Sequence, residues 1–352
     1  MSKKVFGVLI TVVIIFAIVI NVVAVYFMQS DDAETVEEIV VEGADEEEEA
    51  EVVEEGEETG SMFVLDEGMR IDYASNPMVT YLDDEKLILA YEHRAEELRF
   101  APGVDAPLVV TYDGLEFEDV EDRTGLSTRP PGVLIDDMYH KYIFTPATGV
   151  MYATSVDNIN YESHNVALEV YAEDATDARE FGVYTFFEDD RGGIVLLFNS
   201  TDEEGDIVVN RAYASSDDLS TLEVTDRDIL DGTLESELYA DPNAIALSDG
   251  RIALIVMNQT DGARPPHGRQ GTIHLFFSYD IGETFVYEGQ LMSHEDFEEF
   301  DVYSLNDPKI VEMWDGSLRV YVAAMLPDPE STNEDPLRQY KWILVSASGE
   351  LE

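Results

Sequence analysis

The strongest constraint on the fold is a short unit that recurs along residues 61–352. Each copy begins with Asn-Pro or Asp-Pro, runs through an apolar strand, turns at an Asp-Gly-like pair and returns as a second strand. The clear copies begin at Asn76, Asp241 and Asp307, and weaker copies begin near Pro131 and Val183. Alternating apolar runs joined by such turns are typical of β-hairpins. Residues 61–352 are therefore predicted to form an all-β domain.

A second recurring element follows each hairpin, namely a strand that ends in Ser/Thr-x-Asp, a turn, and an aromatic residue or Leu. The best copy contains Ser278, Asp280, Gly282, Thr284 and Phe285. In such a turn the Asp accepts hydrogen bonds from backbone N–H groups, the Gly adopts a positive φ and the aromatic ring packs beneath. These five residues are therefore predicted to be structural.

Five copies of a four-stranded unit predict a β-propeller. The last copy ends just after its turn and lacks an outer strand, and residues 62–72, which precede the first copy, are available to supply that strand. This arrangement would join the two ends of the domain and close the ring. We favour five blades, and six remain possible if one of the longer spacings contains a degenerate unit.

The N-terminal part of the chain has a different character. Residues 5–28 carry no charge and, as a helix, would span roughly 36 Å, which is enough to cross a bilayer. Lys3 and Lys4 precede this segment and acidic residues follow it, which places residues 1–4 in the cytoplasm and the domain outside the cell. An uncleaved single-pass signal anchor in the cell membrane is favoured over a cleaved signal peptide, because no small-residue cleavage site closes the apolar run.

Residues 29–60 link this segment to the β domain. Residues 31–60 contain 16 acidic residues and no Lys or Arg, a composition that favours a disordered, self-repelling stalk over a cation-binding segment. The whole chain has 76 acidic and 20 basic residues and a net charge of −56, which excludes a nucleic-acid binder. It has no cysteine, so disulfides, zinc-thiolate sites and a Cys nucleophile are excluded.

The turn from Ser278 to Phe285 resembles the Asp box of sialidases and other BNR-repeat propellers, with Phe where Trp is common. Arg94 and Asp105 lie where that family often has Arg and Asp, so the resemblance implies a role for them in glycan binding. The catalytic positions of sialidases do not match: their first arginine corresponds to Ser75 and their nucleophilic Tyr to Asp307, with Tyr303 four residues away. True sialidase activity is therefore not expected.

Arg264 and Arg269 lie in one loop around His267. A guanidinium group suits a carboxylate or sulfate on a glycan. The two arginines are therefore candidate glycan-binding residues, and the alternative is an ordinary surface loop.

The chain also resembles five-bladed glycosidases, in which an Asp-Pro begins inner strands and the Asp faces the axial funnel. Asp241 and Asp307 match this pattern, whereas the first-blade position is Asn76. Glycoside hydrolysis needs two carboxylates across the scissile bond. The resemblance implies that Asp241 and Asp307 are catalytic, with a Glu as acid. The alternative is that Asp-Pro merely caps a blade strand.

These observations together predict a membrane-anchored extracellular propeller that recognises or hydrolyses a glycan at its axial funnel. The alternative is a non-catalytic propeller for adhesion, envelope assembly or docking of a surface protein. No zinc or nucleotide motif is present, and no cofactor is expected. Acidic turns such as residues 202–206 are compatible with Ca²⁺ but lack the spacing of a dedicated loop.

Overall fold

The predicted hairpins are present, and two further strands extend each of them into a four-stranded sheet. The computed structural model describes residues 63–83, 85–94, 107–120, 132–145, 149–157, 160–164, 183–201, 206–230, 233–234, 238–259, 268–297, 299–332 and 339–350. All of them belong to one compact unit, residues 59–352.

Twenty-one strands make up the described part of the chain. Two short ones come first, β1 (Phe63–Leu65) and β2 (Ile71–Asp72). Blade I contains β3 (Ala74–Asp83), β4 (Lys86–His93), β5 (Leu108–Thr111) and β6 (Glu118–Asp119). Blade II contains β7 (Val133–Ile135), β8 (Met138–Thr145), β9 (Gly149–Ser155) and β10 (Glu162–His164). Blade III contains β11 (Tyr184–Glu188), β12 (Ile194–Thr201), β13 (Ile207–Ala214) and β14 (Glu223–Asp226).

The last two blades follow the same plan. Blade IV contains β15 (Tyr239–Ala246), β16 (Ile252–Asn258), β17 (Thr272–Ser278) and β18 (Val286–Ser293), and a 3₁₀ turn (His294–Asp296) follows it. Blade V contains β19 (Ser304–Glu312), β20 (Leu318–Pro327) and β21 (Tyr340–Gly349). Each sheet is an antiparallel meander, and the molecule is an all-β, five-bladed propeller.

The fourth strand of blade V comes from the start of the domain, as the sequence predicts. Strand β1 pairs with β21, with Phe63 opposite Gly349, and β2 pairs with the same strand further along. Just after β1, the carboxylate of Asp66 accepts hydrogen bonds from the hydroxyls of Ser346 (2.6 Å) and Ser348 (2.9 Å). The last blade has no Asp of its own in this turn, and Asp66 supplies the missing carboxylate from the other end of the domain.

The apolar core lies between neighbouring blades. The second strand of blade IV, Ile252–Asn258, is buried along its whole length, because both faces of the sheet are covered. One cluster joins Ile255 and Phe277 of blade IV to Val320 and Ile343 of blade V. Packing of apolar side chains therefore holds neighbouring blades together.

The Asp-box turn is structural, as its chemistry predicts. Asp280 accepts hydrogen bonds from the backbone N–H (2.9 Å) and hydroxyl (2.6 Å) of Thr284, and Gly282 has a φ of +75°. Phe285 packs against the core between blades III and IV. Burial alone would raise the pKa of Asp280, but the hydrogen bonds from Thr284 and Ser278 outweigh it and hold that pKa below its ordinary value.

The predicted membrane segment at residues 5–28 and the predicted stalk at residues 29–60 lie outside the described residues. Within the part of the chain that the structure describes, no helix is both long and apolar enough to span a bilayer.

Candidate active site

Three Asx-Pro pairs form equivalent β-bulges at one end of the propeller. The strand pairing shifts at Asn76 in blade I, at Asp241 in blade IV and at Asp307 in blade V, where φ is +48°, +52° and +52°. Proline has no N–H to give to the neighbouring strand, so the ladder is interrupted there. Asn and Asp tolerate positive φ better than most residues. The repeated Asx-Pro of the sequence is thus the signature of a repeated bulge.

These bulges lie near the beginnings of the first strands of their blades. The same end of the propeller holds the ends of the second strands, because neighbouring strands are antiparallel. We call this end the axial face. Asn199 near the end of β12 and Glu92 near the end of β4 lie on it, whereas the Asp-box turns lie at the opposite end. The first strands contact one another from β7 through β11, β15 and β19 to β3.

The bulge residues are linked from blade to blade. The backbone N–H of Asp241 donates to Asn199 Oδ1 (3.1 Å), and the backbone N–H of Asp307 donates to Asp241 Oδ2 (3.1 Å). The backbone N–H of Asn76 donates in turn to Asp307 Oδ2 (3.0 Å). Four consecutive blades, III, IV, V and I, are joined in this way. The structure therefore brings together Asp241 and Asp307, the two catalytic candidates.

Glu92 and Arg94 complete this group on blade I. Asn76 Nδ2 donates to Glu92 Oε1 (3.2 Å), and the Arg94 guanidinium forms an ion pair with Glu92. Arg94 Nε also donates to the hydroxyl of Ser75 (2.8 Å). Arg94, a candidate for glycan binding, thus has its charge balanced by a carboxylate of its own blade.

A buried lysine lies on the same strand as Asp307. Lys309 follows Asp307-Pro308 on β19 and is only 3% exposed. Its Nζ donates to the backbone oxygen of Pro308 (3.0 Å). The residues at the equivalent positions are Asn243 in blade IV and Met78 in blade I. Among these three blades, only blade V therefore has an ionisable side chain at this position. Sequence reasoning missed this residue, and the signal was one of only six lysines in the chain, directly after an Asp-Pro pair and before Ile310 and Val311.

The protonation of the two aspartates is strongly perturbed. Burial and then the charge of Asp241 raise the pKa of Asp307 to about 7, against the opposing effects of Lys309 and the Asn76 N–H. Burial also raises the pKa of Asp241, again opposed by Lys309. The pKa of Lys309 is lowered by burial, which the two carboxylates counteract. An Asp with a pKa near neutrality can act as a proton donor at physiological pH.

Each aspartate has a second carboxylate oxygen. Among the described residues, neither Oδ1 atom accepts a hydrogen bond, since the bonds of both groups go through Oδ2. Both residues keep some exposed surface at the axial face. One oxygen of each carboxylate is therefore used to bind the backbone of the next blade.

The remaining candidates are placed elsewhere or not described. Arg269 forms an ion pair with Asp301, donates to the backbone oxygen of Val302 (3.1 Å) and stacks on the ring of Tyr303. It therefore joins the loop between β16 and β17 of blade IV to the entry of blade V. Asp105 and Arg264 lie outside the described residues, as does most of the acidic turn at 202–206. Within the described ranges, no three His, Asp or Glu side chains are grouped to hold a metal ion.

Comparisons with known proteins agree on the fold and do not assign a family. No protein-family model matches the chain, and no curated protein matches it. The Asp-box resemblance to sialidases therefore has no support from a family match.

Solved structures of glycoside hydrolases do match. A GH62 hydrolase solved in complex with xylotriose has a TM-score of 0.54 at 8% identity, over 82% of this chain and 98% of that one. A GH43 protein from Bacillus licheniformis has a TM-score of 0.52 at 10% identity, over 80% of this chain and 54% of that one. Sucrose-6-phosphate hydrolase from Lactobacillus gasseri has a TM-score of 0.51 at 12% identity, over 81% of this chain and 61% of that one. The chain is thus a five-bladed β-propeller whose structural neighbours include glycoside hydrolases of families GH43 and GH62.

Proposed function

We propose that this protein hydrolyses a glycan at the axial face of its propeller, with Asp307 as the proton donor. The observation that carries the proposal is the convergence of Asp241, Asp307 and Glu92 from three blades, together with the raised pKa of Asp307. Glycosidases need one carboxyl group that is protonated and a second that is ionised. The structural likeness to glycoside hydrolases is consistent with this reaction.

In this scheme Asp307 protonates the glycosidic oxygen and a second carboxylate acts as base or nucleophile. Glu92 is one candidate for the second role, because Arg94 and Asn76 hold it in place next to the bulge of blade I. Asp241 is the other, and its charge also contributes to the raised pKa of Asp307. Separate substitutions of Glu92 and Asp241 would distinguish the two.

A neutral glycan is the substrate class that fits the site. Arg94, which lies on the axial face with Glu92, already forms an ion pair with that carboxylate. A chain with a net charge of −56 also repels anionic sugars. We therefore propose neutral oligosaccharides, and the GH62 structural neighbour solved with xylotriose suggests pentose-based glycans as the first compounds to test.

We further propose that residues 5–28 anchor the protein in the cell membrane and that residues 29–60 hold the propeller away from it. The proposal is based on the uncharged apolar run and the acidic tract in the sequence. Protease digestion of intact cells would test it, because an external propeller is cleaved without lysis and a cytoplasmic one is protected.

The test of hydrolysis is a screen of the full chain on chromogenic furanosides and pyranosides and on xylo-oligosaccharides. We expect Asp307→Asn to lower turnover about 10²-fold or more. The control is Asp190→Asn, which removes an exposed carboxylate from the opposite end of the propeller and should leave turnover unchanged. Equal turnover of Asp307→Asn and the wild type would refute the assignment.

A non-catalytic propeller is the second candidate. It is favoured by one observation, that both aspartates use an oxygen to bind the backbone of the next blade. A folded protein that turns over no glycoside and still retains glycans or surface proteins in pull-down experiments would support this alternative.

A further inference from the structure

Three tyrosines lie along the axial edge of blade V and the start of blade I, and the reaction as described so far does not use them. Tyr303 directly precedes β19, Tyr340 begins β21 and Tyr73 lies between β2 and β3. Because neighbouring strands are antiparallel, β19, β21 and β3 all begin at the axial face. We call these three residues the tyrosine row. It begins at the entry of the strand that carries Asp307.

Contacts make the row continuous across blade V. The rings of Tyr303 and Tyr340 meet edge to face, with their centroids 5.2 Å apart and their planes at 63°. Lys341, which follows Tyr340, lies over the ring of Tyr73 at 5.1 Å from its centroid. Its Nζ also donates to Asp72 Oδ1 (2.9 Å). The row therefore reaches from the first strand of blade V to the first strand of blade I.

The far end of the row is fixed next to Glu92. Tyr73 has a φ of +51°, which is unfavourable for a bulky side chain. Two hydrogen bonds hold it there: its N–H donates to Asp72 Oδ1 (3.0 Å), and the backbone N–H of Arg94 donates to its carbonyl oxygen (2.6 Å). Arg94 in turn forms an ion pair with Glu92. Backbone strain of this kind is common where a side chain is held for function.

The exposure of the row differs from that of the tyrosines that support the fold. Tyr142, Tyr239 and Tyr321 are fully buried, and each hydroxyl donates to a backbone carbonyl. The rings of the row are half-buried, and within the described ranges none of its hydroxyls forms a hydrogen bond. Buried tyrosines usually bond their hydroxyl to a protein partner. The row instead presents its rings and hydroxyls to whatever occupies the axial face.

The charges along the row indicate what it binds. The two cations that stack on its rings are each paired with a carboxylate, Arg269 with Asp301 and Lys341 with Asp72. A neutral ligand therefore fits better than an ionic one. A sugar ring has an apolar C–H face that suits the negative face of an aromatic ring, and its hydroxyls suit the tyrosine hydroxyls.

We propose that the tyrosine row binds further sugar rings of a neutral oligosaccharide, beyond the ring that is attacked at Asp307. The protein would then prefer oligosaccharide chains to short glycosides, because contacts with remote rings supply binding energy. This inference rests on the proposed function for its catalytic meaning, but binding itself can be measured without turnover.

The test is isothermal titration calorimetry of the full chain with di- to hexasaccharides of the xylan and cellulose types. Tyr340→Ala removes the middle of the row, and Tyr303→Phe and Tyr340→Phe keep the rings in case the first variant does not fold. The control is Tyr112→Ala. Tyr112 is an exposed tyrosine at the opposite end of the propeller, with Lys86 lying 4.9 Å from its ring centroid.

We expect the wild type to bind the longer oligosaccharides more tightly than the disaccharides. Tyr340→Ala should weaken the binding of the longer ones by about fivefold or more, and each Phe variant should weaken it by about twofold or more. Tyr112→Ala should bind like the wild type. The inference is wrong if the wild type binds none of these oligosaccharides. It is equally wrong if Tyr340→Ala, or both Phe variants where Tyr340→Ala does not fold, bind like the wild type.

Kinetics separate this inference from the proposed function. If the wild type turns over glycosides, Tyr340→Ala should raise KM for oligosaccharides and leave kcat/KM for a chromogenic monoglycoside unchanged. If the wild type turns over nothing and still binds oligosaccharides through the row, the proposed function fails and the row stands. If turnover depends on Asp307 while Tyr340→Ala keeps the wild-type preference for chain length, the proposed function stands and the row fails.

Discussion

The carboxylate of Asp241 accepts a hydrogen bond from the backbone N–H of Asp307, 3.1 Å away on the next blade. The same relationship joins Asp307 to Asn76, and a similar one joins Asn199 to Asp241. A side chain that would only cap its own strand does not make such bonds. The Asx-Pro bulge is therefore a joint between blades, and it holds two acids together at the axial face.

Replacing Asp307 with Asn should stabilise the protein at alkaline pH. The pKa of Asp307 is raised in the folded state, so its ionisation opposes folding progressively as the pH rises from about 4 to about 7. Asn76 shows that Asn is accepted at this bulge. We expect the stabilising effect of Asp307→Asn on the free energy of unfolding to be larger at pH 8 than at pH 5 by about 1 to 2 kcal/mol.

Denaturant unfolding of both proteins, followed by tryptophan fluorescence at the two pH values, measures this difference. Asp190→Asn is the control and should show no such pH dependence, because its carboxylate is exposed. An effect of Asp307→Asn that is the same at pH 5 and pH 8 would contradict the raised pKa.

Closure of the ring should depend on Asp66. Its carboxylate binds Ser346 and Ser348, and Arg319 lies 3.8 Å from it. The Asp66 side chain is largely buried, so its partners would lose hydrogen bonds that water replaces poorly. Asp66→Ala should therefore lower the free energy of unfolding by about 1 to 3 kcal/mol. The neighbouring exposed residue provides the control, Glu67→Ala, for which we expect little change. Thermal unfolding of the three proteins checks this, and equal midpoints would argue against a closing role.

The Asp-box turn should contribute to stability and not to activity. The pKa of Asp280 is lowered in the folded state, so its contribution is present above about pH 4 and is lost as the pH falls below that value. Asp280→Ala should therefore destabilise the protein by about 1 to 2 kcal/mol at pH 7 and by less at pH 3. Unfolding curves measure the expected loss of stability, and glycoside assays on the same variant test whether turnover is unchanged. A loss of turnover in a folded variant would show that the turn affects the axial face.

Two glycines with the same φ should respond differently to alanine. Both Gly250 and Gly271 have a φ of +92°, but a Cβ at Gly271 would lie 2.5 Å from the backbone oxygen of Leu305, whereas one at Gly250 would meet nothing within 4 Å. Gly250→Ala should cost about 1 kcal/mol for the backbone conformation alone. Gly271→Ala should cost clearly more, because blades IV and V must separate. Similar unfolding free energies for the two variants would show that this junction can adjust.

Much of the propeller could be predicted from local patterns. The Asp-Gly turns, the alternation around them and the box from Ser278 to Phe285 depend on neighbours within a few residues, and these were located correctly. The pairing of β1 with β21 was also predicted, because the last copy of the repeat visibly lacked a strand. Asp66 was not recognised as a partner of Ser346, because 280 residues separate them and no local rule connects such a pair.

The sequence by itself determined the repeated hairpin, the propeller class and the two Asp-Pro positions, because these follow from short-range turn chemistry and hydrophobic alternation. Only the tertiary structure decided that there are five blades, that the backbone of Asp307 donates to Asp241 and that Glu92 pairs with Arg94. These relationships arise when the ring closes and brings the first strands of different blades together. The protonation of the two aspartates depends on their burial and on the charges around them, and neither can be read from the order of residues along the chain.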